Sequence, residues 1–292
     1  MALEALHAEL LHACPLNCLA CDHRGLGGAR LKRDALAALY ANPALKELKL
    51  ISFSGGEPLL YPGLAGVLVN AASAFPRAGL VLLSSLYDTA LALRLLRRLP
   101  ASVRARLHIG SSLDGSPAVH DRMRGRRGAF AALKASLTAI RGEFPGLSAG
   151  LTFTATRRNA AAFYSAWTQA RRLGVWLSPQ FLVPNANTAG LELDAAAGRA
   201  LAAGLRRALA ECGARPRQAA ELRQALDFLG GGPKGACGAG ASFLLLSPEG
   251  EFYLCPFHKD LTAPLARPEA LRPPAGGHRT RHCAGCFLRC AR

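Results

Sequence analysis

Short apolar runs alternate with longer amphipathic stretches through the first two thirds of the chain. Residues 4–11, 48–53, 79–83, 106–111, 151–156 and 175–183 are strand-length runs and predict six strands. The segments between them carry helix signals. Residues 33–41 end at Asn42-Pro43, and Tyr61-Pro62-Gly63 opens a helix that closes near Phe75-Pro76. Asp88 is placed to cap a helix halted at Pro100, residues 128–144 are amphipathic, and Asn159 is placed to cap a helix that runs to Leu173 with Gly174 at its C-terminus. Pro179 lacks a ladder donor, so the sixth run belongs at an edge or carries an irregularity. Alternating strands and helices make the expected fold class α/β, a partial (β/α)6 TIM-like barrel with its chemistry at the C-terminal strand ends.

Beyond residue 190 the pattern changes. Residues 194–213 and 216–229 read as two helices, and Gly230-Gly231-Gly232-Pro233 breaks the second. A hairpin follows, with arms at 243–246 and 251–254, and then a Pro/Arg-rich stretch over 261–278. The expected organisation is a barrel domain over 1–190, then a helical linker and small C-terminal domain over 191–292.

Half of the 292 residues are hydrophobic, enough to bury a large core. The net charge of +17 is carried mostly by arginine in a chain rich in Ala, Gly and Leu, a pattern that fits GC-biased coding and a solvated basic surface. The functional reading of that charge is attraction to an acidic or phosphorylated substrate. The densest cluster, Arg122, Arg124, Arg126 and Arg127, has no interleaved aromatics, so it is no base-stacking platform and nucleic acid is not an expected partner. No secretory signal and no apolar run of membrane-spanning length is visible, and the cysteines are clustered rather than spread as a disulfide framework. The expectation is a soluble protein of the reducing cytoplasm, without a membrane partner.

Of the nine cysteines, Cys14, Cys18 and Cys21 form a CxxxCxxC group directly after the first strand. Three thiolates in one loop suit an iron–sulfur centre. A four-iron cluster held by three cysteines leaves one iron open; a zinc knuckle is the plain alternative. After the second strand comes Gly55-Gly56-Glu57-Pro58, where two glycines admit a ligand to the backbone and a carboxylate can accept from an ammonium group. After the fourth comes Ser112-Leu113-Asp114-Gly115, followed by His120-Asp121 and Arg124-Gly125. The ordered set resembles the radical S-adenosylmethionine (radical SAM) enzymes over residues 1 to 190. That resemblance implies a [4Fe-4S] cluster on Cys14, Cys18 and Cys21, whose open iron is chelated by S-adenosylmethionine. It also implies cofactor binding by Gly55, Gly56, Glu57, Pro58, Ser112, Asp114 and Arg124, with Arg124 facing the cofactor carboxylate and Asp121 bracing the loop. The family commonly has an aromatic residue before the third cysteine, where this chain has Ala20; His23 and Phe181 are the candidate substitutes.

The second cysteine group is Cys237, Cys255, Cys283, Cys286 and Cys290, while Cys212 stands alone on a helix and is expected to pack. A hairpin between Cys237 and Cys255, followed by Cys283-Ala284-Gly285-Cys286, resembles the twitch domain, the shorter relative of the SPASM domain. It implies a second, auxiliary [4Fe-4S] cluster, with Cys290 a fifth candidate ligand and structural zinc the alternative.

The family resemblance implies reductive cleavage of S-adenosylmethionine and hydrogen-atom abstraction from a small-molecule or peptide substrate, with a reductant such as flavodoxin or ferredoxin. A second cluster near the substrate favours net oxidation or maturation. Radical rearrangement in cofactor biosynthesis and a non-catalytic iron–sulfur carrier are the alternatives. The first strand starts almost at once, so no N-terminal leader-peptide-binding domain is expected. No catalytic base is assigned: Glu192, Asp194, His258 and Asp260 read as surface residues.

Overall fold

Six parallel strands arise from the six apolar runs. In the computed structural model, which describes residues 3–213, 215–232, 237–256, 259, 261–265, 267 and 286–287, these are β1 (Ala5–Glu9), β2 (Leu50–Ser54), β3 (Gly79–Leu83), β4 (Leu107–Ser112), β5 (Ser148–Ala155) and β6 (Trp176–Phe181). They pair in chain order, each parallel to the next. The crossovers are α1 (Arg33–Ala41), α2 (Leu64–Ala74), α3 (Thr89–Arg98) with the short α4 (Ala101–Arg104), α5 (Pro117–Met123) with α6 (Ala129–Glu143), and α7 (Phe163–Arg172). This is an open (β/α)6 barrel. β6 is its outer edge, which is why Pro179 costs no ladder bond.

Alternation along the strands separates two faces. On β5, Leu151, Phe153 and Ala155 are buried among apolar neighbours, while Thr152 and Thr154 face the cavity at the strand ends. Trp167, Phe153 and Phe163 anchor the packing of α7, with the Phe153 and Phe163 rings meeting edge to face at 5.1 Å. Asp88 caps α3 as expected, accepting from Leu91 N at 2.9 Å. Asn159 does not cap the following helix. Its Oδ1 accepts from Thr156 N and Thr156 Oγ1 (2.7 and 2.8 Å), a local bond that competes with capping, and the helix opens with a 3₁₀ turn at Ala160–Ala162.

Two helices follow, α8 (Ala195–Ala210) and α9 (Pro216–Leu229), packed on each other and on the β6 side of the sheet. Cys212 is buried there, as expected of a packing residue. The hairpin β7 (Phe243–Leu246) and β8 (Glu251–Tyr253) then joins the same sheet. β7 pairs parallel with the free edge of β1, Ala5 opposite Phe243, and β9 (Thr262–Pro264) extends the hairpin. Among the described residues the barrel sheet thus has nine strands in the order β6-β5-β4-β3-β2-β1-β7-β8-β9. No helix among the described residues is long and apolar enough to cross a membrane.

Candidate functional site

The C-terminal strand ends enclose a cavity of about 860 Å³. The loop between β1 and α1 forms one wall and presents Cys14, Cys18 and Cys21 to it. The loop is zipped down by backbone hydrogen bonds. Leu10 N donates to Ser54 O (2.8 Å), Gly56 N to Leu11 O (2.6 Å) and Glu57 N to Ala13 O (2.8 Å). Gly55 has a φ of +119°, and a Cβ on Gly56 would lie 2.2 Å from Ala13 O, so both glycines are demanded by the close approach of two backbones. On the far side, Asn17 N and Leu19 N donate to Arg124 O and Met123 O at 3.2 and 2.9 Å. The loop after β6 closes a third side: Asn185 Nδ2 donates to Ala20 O (3.1 Å), and Asn187 Nδ2 to Cys21 O (2.8 Å) and Arg24 O (3.3 Å).

Of the residues expected to bind cofactor, Gly55, Gly56, Ser112, Asp114 and Arg124 line the cavity with the three cysteines. Glu57 and Pro58 are buried behind its wall. The Glu57 carboxylate accepts from Leu59 N (3.1 Å), Ser84 Oγ (2.7 Å), Ser85 N (2.9 Å) and Ser85 Oγ, and so fastens the loop after β3 to the loop after β2. Arg124 donates through Nε to Asp114 Oδ2 at 2.7 Å and approaches Cys18 Sγ with Nη1 at 3.8 Å. Burial opposes ionisation of Asp114, but Arg124 and His120 outweigh it and hold its pKa below the usual carboxylate range. Asp121 accepts from Gly128 N and Phe130 N (2.7 and 2.8 Å), bracing the loop into α6.

Burial pushes the Cys14 thiol up to about 11 and the Cys21 thiol upward as well. Protonated thiols are poor ligands, so a bound metal centre would supply the positive charge that keeps them as thiolates. Two further features of this wall fit a bound cofactor. Arg124 brings a cation to the sulfur of Cys18, and the buried hydroxyl of Ser111 has no hydrogen-bond partner among the described residues. Among the described residues, no three His, Cys, Asp or Glu side chains converge on a single ion. A four-iron cluster is wider than one ion and takes its thiolates at separate irons.

A second polar group beside this wall was not legible in the sequence. Glu9, at the end of β1, lies 3.5 Å from His23 Nε2, His23 lies 3.6 Å from Asp22 Oδ1, and Lys259 Nζ donates to Asp22 Oδ2 at 2.7 Å. Burial works against the Glu9 charge, but His23, His7 and Lys259 together outweigh it and hold its pKa at about 2. His7 is bonded through its two ring nitrogens to Ser52 Oγ and Ser54 Oγ (2.7 and 2.6 Å), and burial lowers its pKa. Alternating polar positions in β1 were the available signal; the link to Lys259 joins residues more than two hundred positions apart.

His23 is thus engaged with carboxylates. Phe181 reaches the cavity wall and stacks with Phe228 and Phe287 at centroid distances of 4.5 and 4.7 Å, which anchors Cys286, the neighbour of Phe287, near the β6 side. Cys237 is exposed, and Cys255 and Cys286 are half-buried; Cys283, Cys290, His258 and Asp260 lie outside the described residues.

No family model and no curated protein matches the sequence. Solved structures do match. "Native anSMEcpe with bound AdoMet" superposes with a TM-score of 0.67 at 14% identity, over 90% of this chain and 78% of that one. SuiB of Streptococcus suis bound to S-adenosylmethionine gives 0.60 at 14% identity, over 87% of this chain and 60% of that one. The form of anSMEcpe that holds AdoMet and the Cp18Cys peptide gives 0.65 at 15% identity, over 89% and 75%. The chain has the radical SAM fold, as the ordered motifs imply.

Proposed function

We propose that this protein is a radical SAM enzyme acting on a peptide, with Cys14, Cys18 and Cys21 holding the catalytic [4Fe-4S] cluster. The observation that carries the reading is the convergence of these three cysteines with Gly55, Gly56, Ser112 and the Asp114–Arg124 pair on one cavity. Bound there, a four-iron cluster with S-adenosylmethionine would supply one-electron chemistry for removing a hydrogen atom from the substrate. The chain's own residues hold, orient and shield. The Gly55-Gly56 segment fixes the cysteine loop against the strand ends. Arg124, charged and held by Asp114, sets a cation beside Cys18 and presents guanidinium hydrogens to an anionic cofactor group. The Ser111 and Ser112 hydroxyls and those of Thr152 and Thr154 offer polar anchors along the wall.

Two similar folds support a peptide substrate: anSMEcpe holds the Cp18Cys peptide, and SuiB, in another structure (TM-score 0.60, 13% identity), is bound to precursor peptide SuiA. We assign the auxiliary cluster to Cys237, Cys255, Cys283 and Cys286, with Cys290 the alternative ligand, on the strength of their spacing. The reaction class is net oxidation or maturation.

Anaerobic reconstitution with iron and sulfide, followed by dithionite and S-adenosylmethionine, tests the reading by mass spectrometry of 5′-deoxyadenosine, with a Cys14/Cys18/Cys21→Ala triple variant as control. Product from the wild type alone is expected, with about eight irons per chain. A clustered protein that neither binds nor cleaves S-adenosylmethionine would overturn the function. About four irons with one zinc would overturn the auxiliary cluster alone.

A further inference from the structure

The flanks of Cys14 and Cys18 are fixed by backbone: Ala13 O accepts from Glu57 N, and Asn17 N and Leu19 N donate to Arg124 O and Met123 O. The flank of Cys21 is held by side chains instead, and they come from 165 and 166 positions away in the chain. Asn187 Nδ2 donates to two carbonyls, Cys21 O at 2.8 Å and Arg24 O at 3.3 Å, which bracket the turn that begins at Asp22. The amide is fixed in this sense. Its Oδ1 accepts from Arg24 Nη2 at 3.1 Å, and a reversed amide would set oxygen against two carbonyls. The clamp is braced in turn. Asn187 N donates to Asn185 Oδ1 (2.8 Å), Asn185 N to Thr188 Oγ1 (2.8 Å), and the buried Thr188 Oγ1 to Asn185 O (2.9 Å).

The clamped turn carries the N–H groups closest in sequence to the Cys21 sulfur. Burial pushes the Cys21 thiol up, and backbone hydrogen bonds from His23 and Arg24 pull against it. An N–H dipole aimed at a ligating sulfur also stabilises the extra negative charge that one-electron reduction puts on an iron–sulfur centre. Holding Cys21 O and Arg24 O fixes the backbone between them, and with it the His23 and Arg24 N–H groups. Asn185 and Ala186 line the cavity and Asn187 does not, so Asn187 acts on the site through this turn.

We propose that Asn187 is a positioning residue that sets the reduction potential of the iron–sulfur centre, by holding the 21–24 turn so that its N–H groups face the Cys21 sulfur. The proposal rests on the radical SAM reading above, which puts that centre on Cys14, Cys18 and Cys21. Without the two donors of Asn187 the turn is released and the N–H groups leave the sulfur. The reduced centre then loses stabilisation relative to the oxidised one, and the potential falls.

The test is a redox titration of the reconstituted protein without S-adenosylmethionine, followed by electron paramagnetic resonance. The signal of this centre is the one that disappears in the Cys14/Cys18/Cys21→Ala variant. Asn187→Leu keeps the size of the side chain and removes its donors. Its ratio of reduced to oxidised centre at a fixed potential is expected to fall about tenfold, a downward shift of about 59 mV for one electron. Asn187→Ser, too short to span the two carbonyls, takes its place if the leucine variant does not fold, with the same shift expected. Thr188→Val loosens the same loop but leaves Asn187 Nδ2 on the turn. Its ratio is expected to stay within about twofold of wild type even where its melting midpoint drops. No shift or an upward shift on removing the Asn187 donors would overturn the proposal, and so would an equal shift in Thr188→Val. Hydrogen–deuterium exchange before reconstitution needs no cluster. Segment 22–25 is expected to exchange about tenfold faster without the Asn187 donors, and unchanged exchange would overturn the clamp. A wild type that takes up no iron would instead overturn the radical SAM reading, while exchange still decides the clamp by itself.

Discussion

Replacing Gly56 with alanine should lever the cysteine loop away from the strand ends. The new Cβ would lie 2.2 Å from Ala13 O, 2.3 Å from His12 O and 2.7 Å from Ala13 C, all backbone atoms that cannot rotate aside. Relief to ordinary van der Waals distance requires the 12–13 segment to retreat by about 1 Å. The same retreat stretches Gly56 N to Leu11 O and Glu57 N to Ala13 O, now 2.6 and 2.8 Å. Two weakened hydrogen bonds with partly stranded groups cost about 3 kcal/mol together, a large share of a typical folding stability of about 5–15 kcal/mol. The expected result is a melting midpoint lower by roughly 6–12 °C and poorer iron retention after reconstitution, because Cys14 moves with Ala13. Gly27→Ala is the control: no heavy atom lies within 4 Å of its added Cβ, so neither quantity should change. If G56A melts and loads iron as G27A does, the close approach of the two backbones is not what holds the loop.

Two further outcomes follow from the same wall. Glu57→Ala strands Leu59 N, Ser84 Oγ, Ser85 N and Ser85 Oγ together, so urea denaturation should show a loss of roughly 2–4 kcal/mol, with Glu57→Gln recovering part of it; equal midpoints for Glu57→Ala and wild type would count against the brace. Glu9 has a folded-state pKa of about 2 against an ordinary value of 4.5, so its contribution of about 3 kcal/mol is complete above the unfolded value and is lost as pH falls from about 4.5 toward 2. Urea midpoints measured across that window should fall less steeply in Glu9→Gln than in wild type, and parallel curves would contradict the assignment.

The barrel was legible in the sequence because its signals are local. An apolar run of strand length, a cap such as Asp88 and a stop such as Pro100 each act within a few residues, and Pro179 pointed to an edge or an irregularity because it has no N–H for a ladder. The cysteine loop and Gly55-Gly56 stood out by residue type, but the glycines were read as admitting a ligand, whereas the close approach seen is that of the Leu11–Ala13 backbone. What escaped depends on distant partners. The short helix α5 lies in a polar stretch with little periodicity, and β9 is three residues long inside a Pro/Arg-rich segment. Nothing near residue 243 announces that β7 pairs with β1, and nothing near Glu9 announces Lys259. Glu57 was read from its motif as a cofactor contact; nothing near it announced that Ser84 and Ser85, nearly thirty residues on, bond its carboxylate.

The pairing of β7 with β1 orders events during synthesis. β1 leaves the ribosome before β2 through β6, which accumulate on one of its sides. Its other edge finds its partner only when Phe243–Leu246 has been made. Until then the nascent chain carries an unpaired strand edge, a template for misassociation that finished proteins keep covered. That edge belongs to the strand leading into Cys14, Cys18 and Cys21. Loading of the proposed cluster on the nascent chain would therefore act on a half-closed sheet, whereas loading after release would act on a closed one. Truncation before residue 243 should yield a chain that aggregates through the strand that delivers the cysteines.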